Sequence, residues 1–125
     1  MIENTILVVD NERDHLELMK QILGNMGYHV IVAEDAKSAI AMVSSQEIPV
    51  VITDLIMPDM EGTELCETIK RIRAATIVLA YSGHIRLFEP DRLERAGFEG
   101  FITKPVSIEQ VEQVVGDAFA YLGRK

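Results

Sequence analysis

"VVITDLIMPDMEG", residues 50–62, opens as a buried strand and breaks off at a carboxylate. Val50 to Thr53 are apolar or β-branched and run straight into Asp54, after which Met57-Pro58 and Gly62 turn the chain. Non-alternating runs of β-branched residues suit strands covered on both faces, as in a parallel sheet. A carboxylate ending such a strand either caps the next loop or belongs to a group of polar side chains gathered at one sheet edge. Taken alone, Asp54 fits both readings equally, so the rest of the chain must decide.

Four more short apolar runs surround this one: Ile6–Val9, Val30–Val32, Ile77–Leu79 and Phe101-Ile102. Between them lie helical patterns. Leu16, Met19, Leu23 and Met26 recur at helical spacing, with Gly27 where a C-terminal cap belongs. A second helix starts at Asp35 as N-cap and buries Ala39, Ile40 and Val43. Leu65, Ile69 and Ile72 mark a third, and a short fourth opens at Pro90 and closes near Gly97. The fifth begins with a capping box, Ser107 to Gln110, and carries Val111, Val115, Ala118, Phe119 and Leu122 on one face. Strict alternation of strand and helix with short connections predicts an α/β fold, a doubly wound five-stranded parallel sheet with five helices. Residues 1–125 read as one domain, with its core at about 4–122.

The bulk composition excludes several function classes. A formal charge of −8, with 12 Lys and Arg scattered along the chain, lacks the basic stripe that nucleic acid requires. No apolar run is long enough to span a bilayer, and nothing resembles a secretory leader. One cysteine, Cys66, cannot form an internal disulfide and reads as packing. A reducing cytoplasm is the expected compartment.

In open α/β sheets, ligands bind outside the carboxyl ends of the strands, where strand order reverses. The first run is followed by Asp10, Asn11 and Glu12, the third by Asp54, the fourth by Ser82 and Gly83, and the fifth by Lys104 and Pro105. Acids, hydroxyl and ammonium therefore collect at one edge. His15, His29 and His84 have no metal-ligand spacing and read as ordinary, although His84 stands two residues beyond Ser82 and flanks this edge.

The segments "ILVVDNE", "VVITDLIMPDMEG", "YSG" and "FITKP" resemble, in order and spacing, the receiver domain of two-component response regulators. Each is weak alone; the four together are specific and cover essentially the whole chain. The resemblance implies the flavodoxin-like strand order 2-1-3-4-5, for which a chemotaxis member of this family is a standard example. It also implies roles. Asp54 is the phosphoacceptor, receiving a phosphoryl group from a sensor histidine kinase, a phosphotransfer protein or a small phosphodonor. Asp10, Asn11, Asp54 and the backbone carbonyl of Ile56 hold Mg²⁺. Lys104 neutralises phosphoryl oxygens, and Ser82 donates its hydroxyl to one of them. Two carboxylates about 4 Å apart repel by roughly 4 kcal/mol at an effective dielectric near 20, so a cation is needed before a phosphoryl group can approach. Phosphorylation draws Ser82 inward, Gly83 and His84 move with it, and Phe101 turns in, altering the face formed by the fourth helix, fifth strand and fifth helix. The Lys104-Pro105 bond is expected to be cis, as in the family.

Asn11 departs from the pattern, because the family usually has a second acid there. An amide oxygen coordinates Mg²⁺ without a full charge, so weaker binding is expected, with Glu12 compensating through water. Asn11 is equally suited to cap the first helix. This departure sustains an alternative: a pseudo-receiver, the same fold acting as a phosphorylation-independent protein-interaction module. Two enzyme readings fit worse. A flavin carrier needs a hydroxyl-rich first loop where Asp10 to Asp14 are mainly acidic, and an aspartyl phosphatase needs a second acid at Ile56. Receivers often pair through the last helix and its neighbours, so a homodimer is among the partners allowed; direct nucleic-acid or membrane contact is not expected.

Overall fold

The structure, a computed structural model, describes residues 4–83 and 90–123. Each apolar run becomes a strand and each periodic segment a helix. In chain order these are β1 (Thr5–Val9), α1 (Arg13–Asn25), β2 (His29–Ala33), α2 (Ala36–Ser45), β3 (Val50–Thr53), α3 (Gly62–Ile72), β4 (Ile77–Ser82), α4 (Pro90–Ala96), β5 (Gly100–Thr103) and α5 (Ile108–Gly123). Neighbouring strands all pair in parallel, in the order β2-β1-β3-β4-β5. The doubly wound 2-1-3-4-5 sheet is therefore the one expected.

Alternate side chains of each strand enter opposite layers, because a pleated strand points successive residues to opposite faces. Leu7, Val9, Val51, Val78 and Ala80 pack with Ala39, Val43, Leu65, Ile69 and Leu93 on one side. Ile6, Val8, Ile52, Leu79 and Tyr81 pack with Leu16, Met19, Leu23, Val111 and Val115 on the other. Coverage on both faces is complete for β1, β3 and β4. The edge strands β2 and β5 are only half covered, since each has a neighbour on one side alone. Ile72 departs from its expected burial and is exposed at the end of α3.

The predicted caps hold in most places. Gly27 has φ +96° and its N–H donates to the Gly24 carbonyl, closing α1 in the left-handed conformation that favours glycine. Asp35 Oδ1 accepts from the Ser38 N–H at 2.7 Å, and this bond holds its carboxyl below the usual carboxylate range. The capping box of α5 is half made: the Gln110 N–H donates to Ser107 Oγ at 3.1 Å, but Gln110 Oε1 accepts from the Thr103 N–H and hydroxyl instead. The Asn11 cap is not formed. Residue 12 is the N-cap of α1, and it is Asp10 Oδ1 that accepts the Glu12 N–H, at 2.9 Å.

The chain passes from β1 out to β2 and then back across to β3, so strand order reverses between β1 and β3. In the ladder Val9 lies opposite Thr53, and the Asp54 N–H donates to the Val9 carbonyl at 3.0 Å. That register brings Asp10 and Asp54 out side by side. On the other flank Ser82 lies opposite Thr103, and the Lys104 N–H donates to the Ser82 carbonyl at 3.3 Å.

Candidate functional site

The two carboxylates are held alike. Asp10 is fully buried, with Oδ1 on the Glu12 N–H. Asp54 is nearly so, with Oδ1 accepting from the Leu55 N–H at 2.7 Å and the Ile56 N–H at 3.4 Å. In each case the backbone just beyond the strand fixes one oxygen and leaves Oδ2 turned toward the same point. That point is occupied by Lys104. Its Nζ lies 3.1 Å from Asp10 Oδ2 and 3.2 Å from Asp54 Oδ2. The ammonium separates two charges that would otherwise repel across a few ångströms.

The side chain of Lys104 reaches this position over Tyr81, with Nζ 4.6 Å from the ring centroid, a cation–π distance. The Tyr81 phenol is pushed up to about 12, first by burial and then by the negative charges of Asp10, Asp54 and Glu12. His15, in the first turn of α1, completes the group, with Nδ1 2.9 Å from Lys104 Nζ. A cleft of about 420 Å³ opens above, lined by Asn11, His15, Asp54, Ile56, Pro58 and Lys104 among others.

The loop carrying Asp54 is fixed from two directions. The Gly62 N–H donates to the Leu55 carbonyl at 2.8 Å, and a Cβ at residue 62 would lie 2.7 Å from Leu55 Cα and closer still to the Asp54 carbonyl oxygen. Glycine is needed there because two stretches of backbone meet. Further along, Asp59 Oδ2 accepts the Ala36 and Lys37 N–H groups at 3.1 and 3.3 Å, tying the loop to the N-terminus of α2.

The expected residues thus fall as follows. Asp10, Asp54 and Lys104 are in direct contact, and Asn11 and Ile56 line the same cleft. Glu12 reaches the pocket's rim, its Oε2 3.3 Å from His15 Nε2. Ser82 is buried as the last residue of β4, beside the strand that leads to Lys104. Gly83 is exposed, and a Cβ there would meet Lys104 Cβ at 3.7 Å. Lys104-Pro105 is cis. Phe101 is half-buried against the core on β5, an edge strand of the sheet. His84 lies outside the described residues. Cys66 is buried in α3 and its thiol is pushed up to about 12 by that burial, in keeping with packing.

Two contributors were not read from the sequence. His15 reads as ordinary from its spacing; the signal for it is its place in the first helical turn, directly above the β1 edge. Asp59 has no sequence signal to mark it, and only the fold shows it capping a different helix. Among the described residues no three His, Cys, Asp or Glu side chains form a metal-holding group. The available donors are two carboxylates, the Asn11 amide and the Ile56 carbonyl, all oxygens, and that set fits a hard cation.

The fold and this edge fall in the flavodoxin-like class of doubly wound sheets. Within it, the family model described as the response regulator receiver domain matches residues 6–116, and the chain belongs to that family. It is 30% identical over 122 residues to the virulence sensor protein BvgS of Bordetella pertussis, covering 92% of this chain and 10% of that one. With the sensor histidine kinase RcsC of Escherichia coli it shares 28% over 110 residues, 88% of this chain and 12% of that one. The chain thus spans about a tenth of the length of these sensor proteins. Among solved structures it is similar to a CheY-like receiver domain protein of Methanospirillum hungatei, with TM-score 0.89, 27% identity and 97% of both chains covered. A receiver domain protein of Clostridium thermocellum gives TM-score 0.88 and 26% identity over 95% of this chain and 96% of that one. Among the described residues no helix is long and apolar enough to cross a membrane.

Proposed function

We propose that residues 1–125 form one receiver domain that accepts a phosphoryl group on Asp54 from a sensor histidine kinase or phosphotransfer protein in the cytoplasm. The observation that carries this reading is the Lys104 ammonium lying between Asp10 Oδ2 and Asp54 Oδ2 at 3.1 and 3.2 Å. A carboxylate oxygen of Asp54 attacks phosphorus as the donor's P–N bond, or the P–O bond of acetyl phosphate, breaks and the leaving group departs. Lys104 and the Ser82 hydroxyl take the phosphoryl oxygens. Water later attacks phosphorus, releasing phosphate and restoring the carboxylate. The domain promotes both steps on itself and turns over no separate substrate.

Mg²⁺, held by Asp10, Asn11, Asp54 and the Ile56 carbonyl, would supply the charge neutralisation that two carboxylates and a phosphoryl group demand. The output is a change at the α4-β5-α5 face. There Phe101 borders an open cleft of about 570 Å³ with Leu79, Phe98 and Tyr121. A modification shifts such an equilibrium only by its differential free energy between the two states.

Asn11 supports a second reading, a phosphate-independent interaction module, because it removes one charge from the metal set. One experiment separates the two. The protein is incubated with acetyl phosphate and Mg²⁺ and its intact mass measured. A gain of one phosphoryl group, absent in Asp54→Ala, is the expected result. No gain in the wild type overturns the proposal and favours the interaction module.

A further inference from the structure

His15 takes no part in the steps above, yet its ring touches three charged groups of the pocket. Nδ1 lies 3.1 Å from Asp10 Oδ2 and 2.9 Å from Lys104 Nζ, while Nε2 lies 3.3 Å from Glu12 Oε2. Nδ1 thus lies between an acceptor at 3.1 Å and a donor at 2.9 Å, and the shorter contact, to Lys104, is the one that selects a tautomer. An ammonium has donors only, so a proton on Nδ1 would set two donors against each other at 2.9 Å. With the proton on Nε2, that N–H donates toward Glu12 and the Nδ1 lone pair receives a Lys104 hydrogen. The three N–H bonds of Lys104 then have three acceptors: Asp10 Oδ2, Asp54 Oδ2 and His15 Nδ1. The close approach of Nδ1 to Asp10 Oδ2, two acceptors, is made favourable by the cation they share.

We infer that His15 is a positioning residue whose Nδ1 lone pair, together with Asp10, anchors the Lys104 ammonium at the place where a phosphoryl oxygen on Asp54 requires a positive charge. A lysine side chain has four flexible carbons and loses considerable rotamer freedom when fixed. Here that ordering is in place before any phosphoryl group arrives. When Asp54 reacts, only the bond to its Oδ2 is exchanged for one to a phosphoryl oxygen, while Asp10 and His15 keep the other two. This consequence rests on the phosphoacceptor reading; the hydrogen bond itself does not.

The test uses the whole chain labelled with ¹⁵N and three forms: wild type, His15→Leu and His15→Asn. Asparagine places an acceptor near the position of Nδ1, whereas leucine fills the space without one. Nitrogen-detected spectra of the unphosphorylated protein should show a protonated Nε2 and bare Nδ1 in His15, and a slowly exchanging Lys104 ammonium. That ammonium signal should vanish into solvent exchange in His15→Leu and return in His15→Asn. Labelling by acetyl phosphate should slow roughly fivefold in His15→Leu, the scale of one lost hydrogen bond, and recover in His15→Asn. A proton found on Nδ1, an ammonium signal unchanged in His15→Leu, or an unaltered labelling rate in that variant would overturn the inference. If the wild type takes no phosphoryl group, the signalling reading fails, and the ammonium signal alone decides whether His15 is the anchor.

Discussion

Asn11 stands where a receiver ordinarily carries an acid, and the consequence is local and measurable. Asp10, Asp54 and Lys104 together leave one net negative charge in the inner pocket, and the Asn11 amide adds none. Sites for hard cations tighten with each added ligand charge, so Asn11→Asp is expected to raise Mg²⁺ affinity by roughly tenfold in titration calorimetry. Equal affinities would show that residue 11 does not set the strength of the site. Tyr81 reports the same field from below. Its phenol titrates near 10 in an unfolded chain and is pushed up to about 12 here, by burial first and then by Asp10, Asp54 and Glu12. Between those values the unfolded chain has lost a proton that the folded one retains, so stability falls as pH rises through that window and is untouched by this group below it. Urea midpoints measured from pH 9 to 11 should decline, and less steeply in Tyr81→Phe. Asp54 and Lys104 were legible because each directly follows an apolar run. His15 was not, since nothing local distinguishes a functional imidazole from a solvated one until the helix it starts is laid over the sheet.

The elements were legible wherever periodicity was strong, and their ends wherever a residue with a special backbone role marked them. Gly27 and Gly97 both adopt positive φ at the close of helices, as their positions after α1 and α4 suggest. Of the two readings open to Asn11, the cap is the one the fold does not form, because it gives the Glu12 N–H to Asp10. Gly62 reads as loop geometry in the sequence; its reason, the approach of α3 to the Asp54-Leu55 backbone, is a tertiary fact with no sequence signature. Gly62→Ala should therefore destabilise by about 1–3 kcal/mol, the cost typical of forcing atoms into a filled space. Gly116, in the middle of α5, has open space where a Cβ would go, so Gly116→Ala should stabilise by about 0.5–1 kcal/mol through helix propensity. Chemical denaturation of both variants checks the pair. A neutral Gly62→Ala would mean that the loop beneath Asp54 is not fixed as described.

For the molecule as a whole, strict alternation of strand and helix already required a parallel sheet with helical crossovers. Strand order was a different matter: alternation alone permits several, and the 2-1-3-4-5 order came from the resemblance carried by four short motifs. What no run of residues could state is the register, Val9 against Thr53 and Ser82 against Thr103, that turns four distant segments into one pocket. Register sets which atoms meet, and here it gives Lys104 to both acids at once. The central claim is that this convergence makes Asp54 the acceptor. The measurement that tests it most directly is the position of the phosphoryl group after reaction with acetyl phosphate. Borohydride reduces an aspartyl phosphate to homoserine, and peptide mass spectrometry then reads its position. The account predicts homoserine at residue 54 and nowhere else; a modification traced to Asp10, Glu12 or His15, with residue 54 intact, would contradict it.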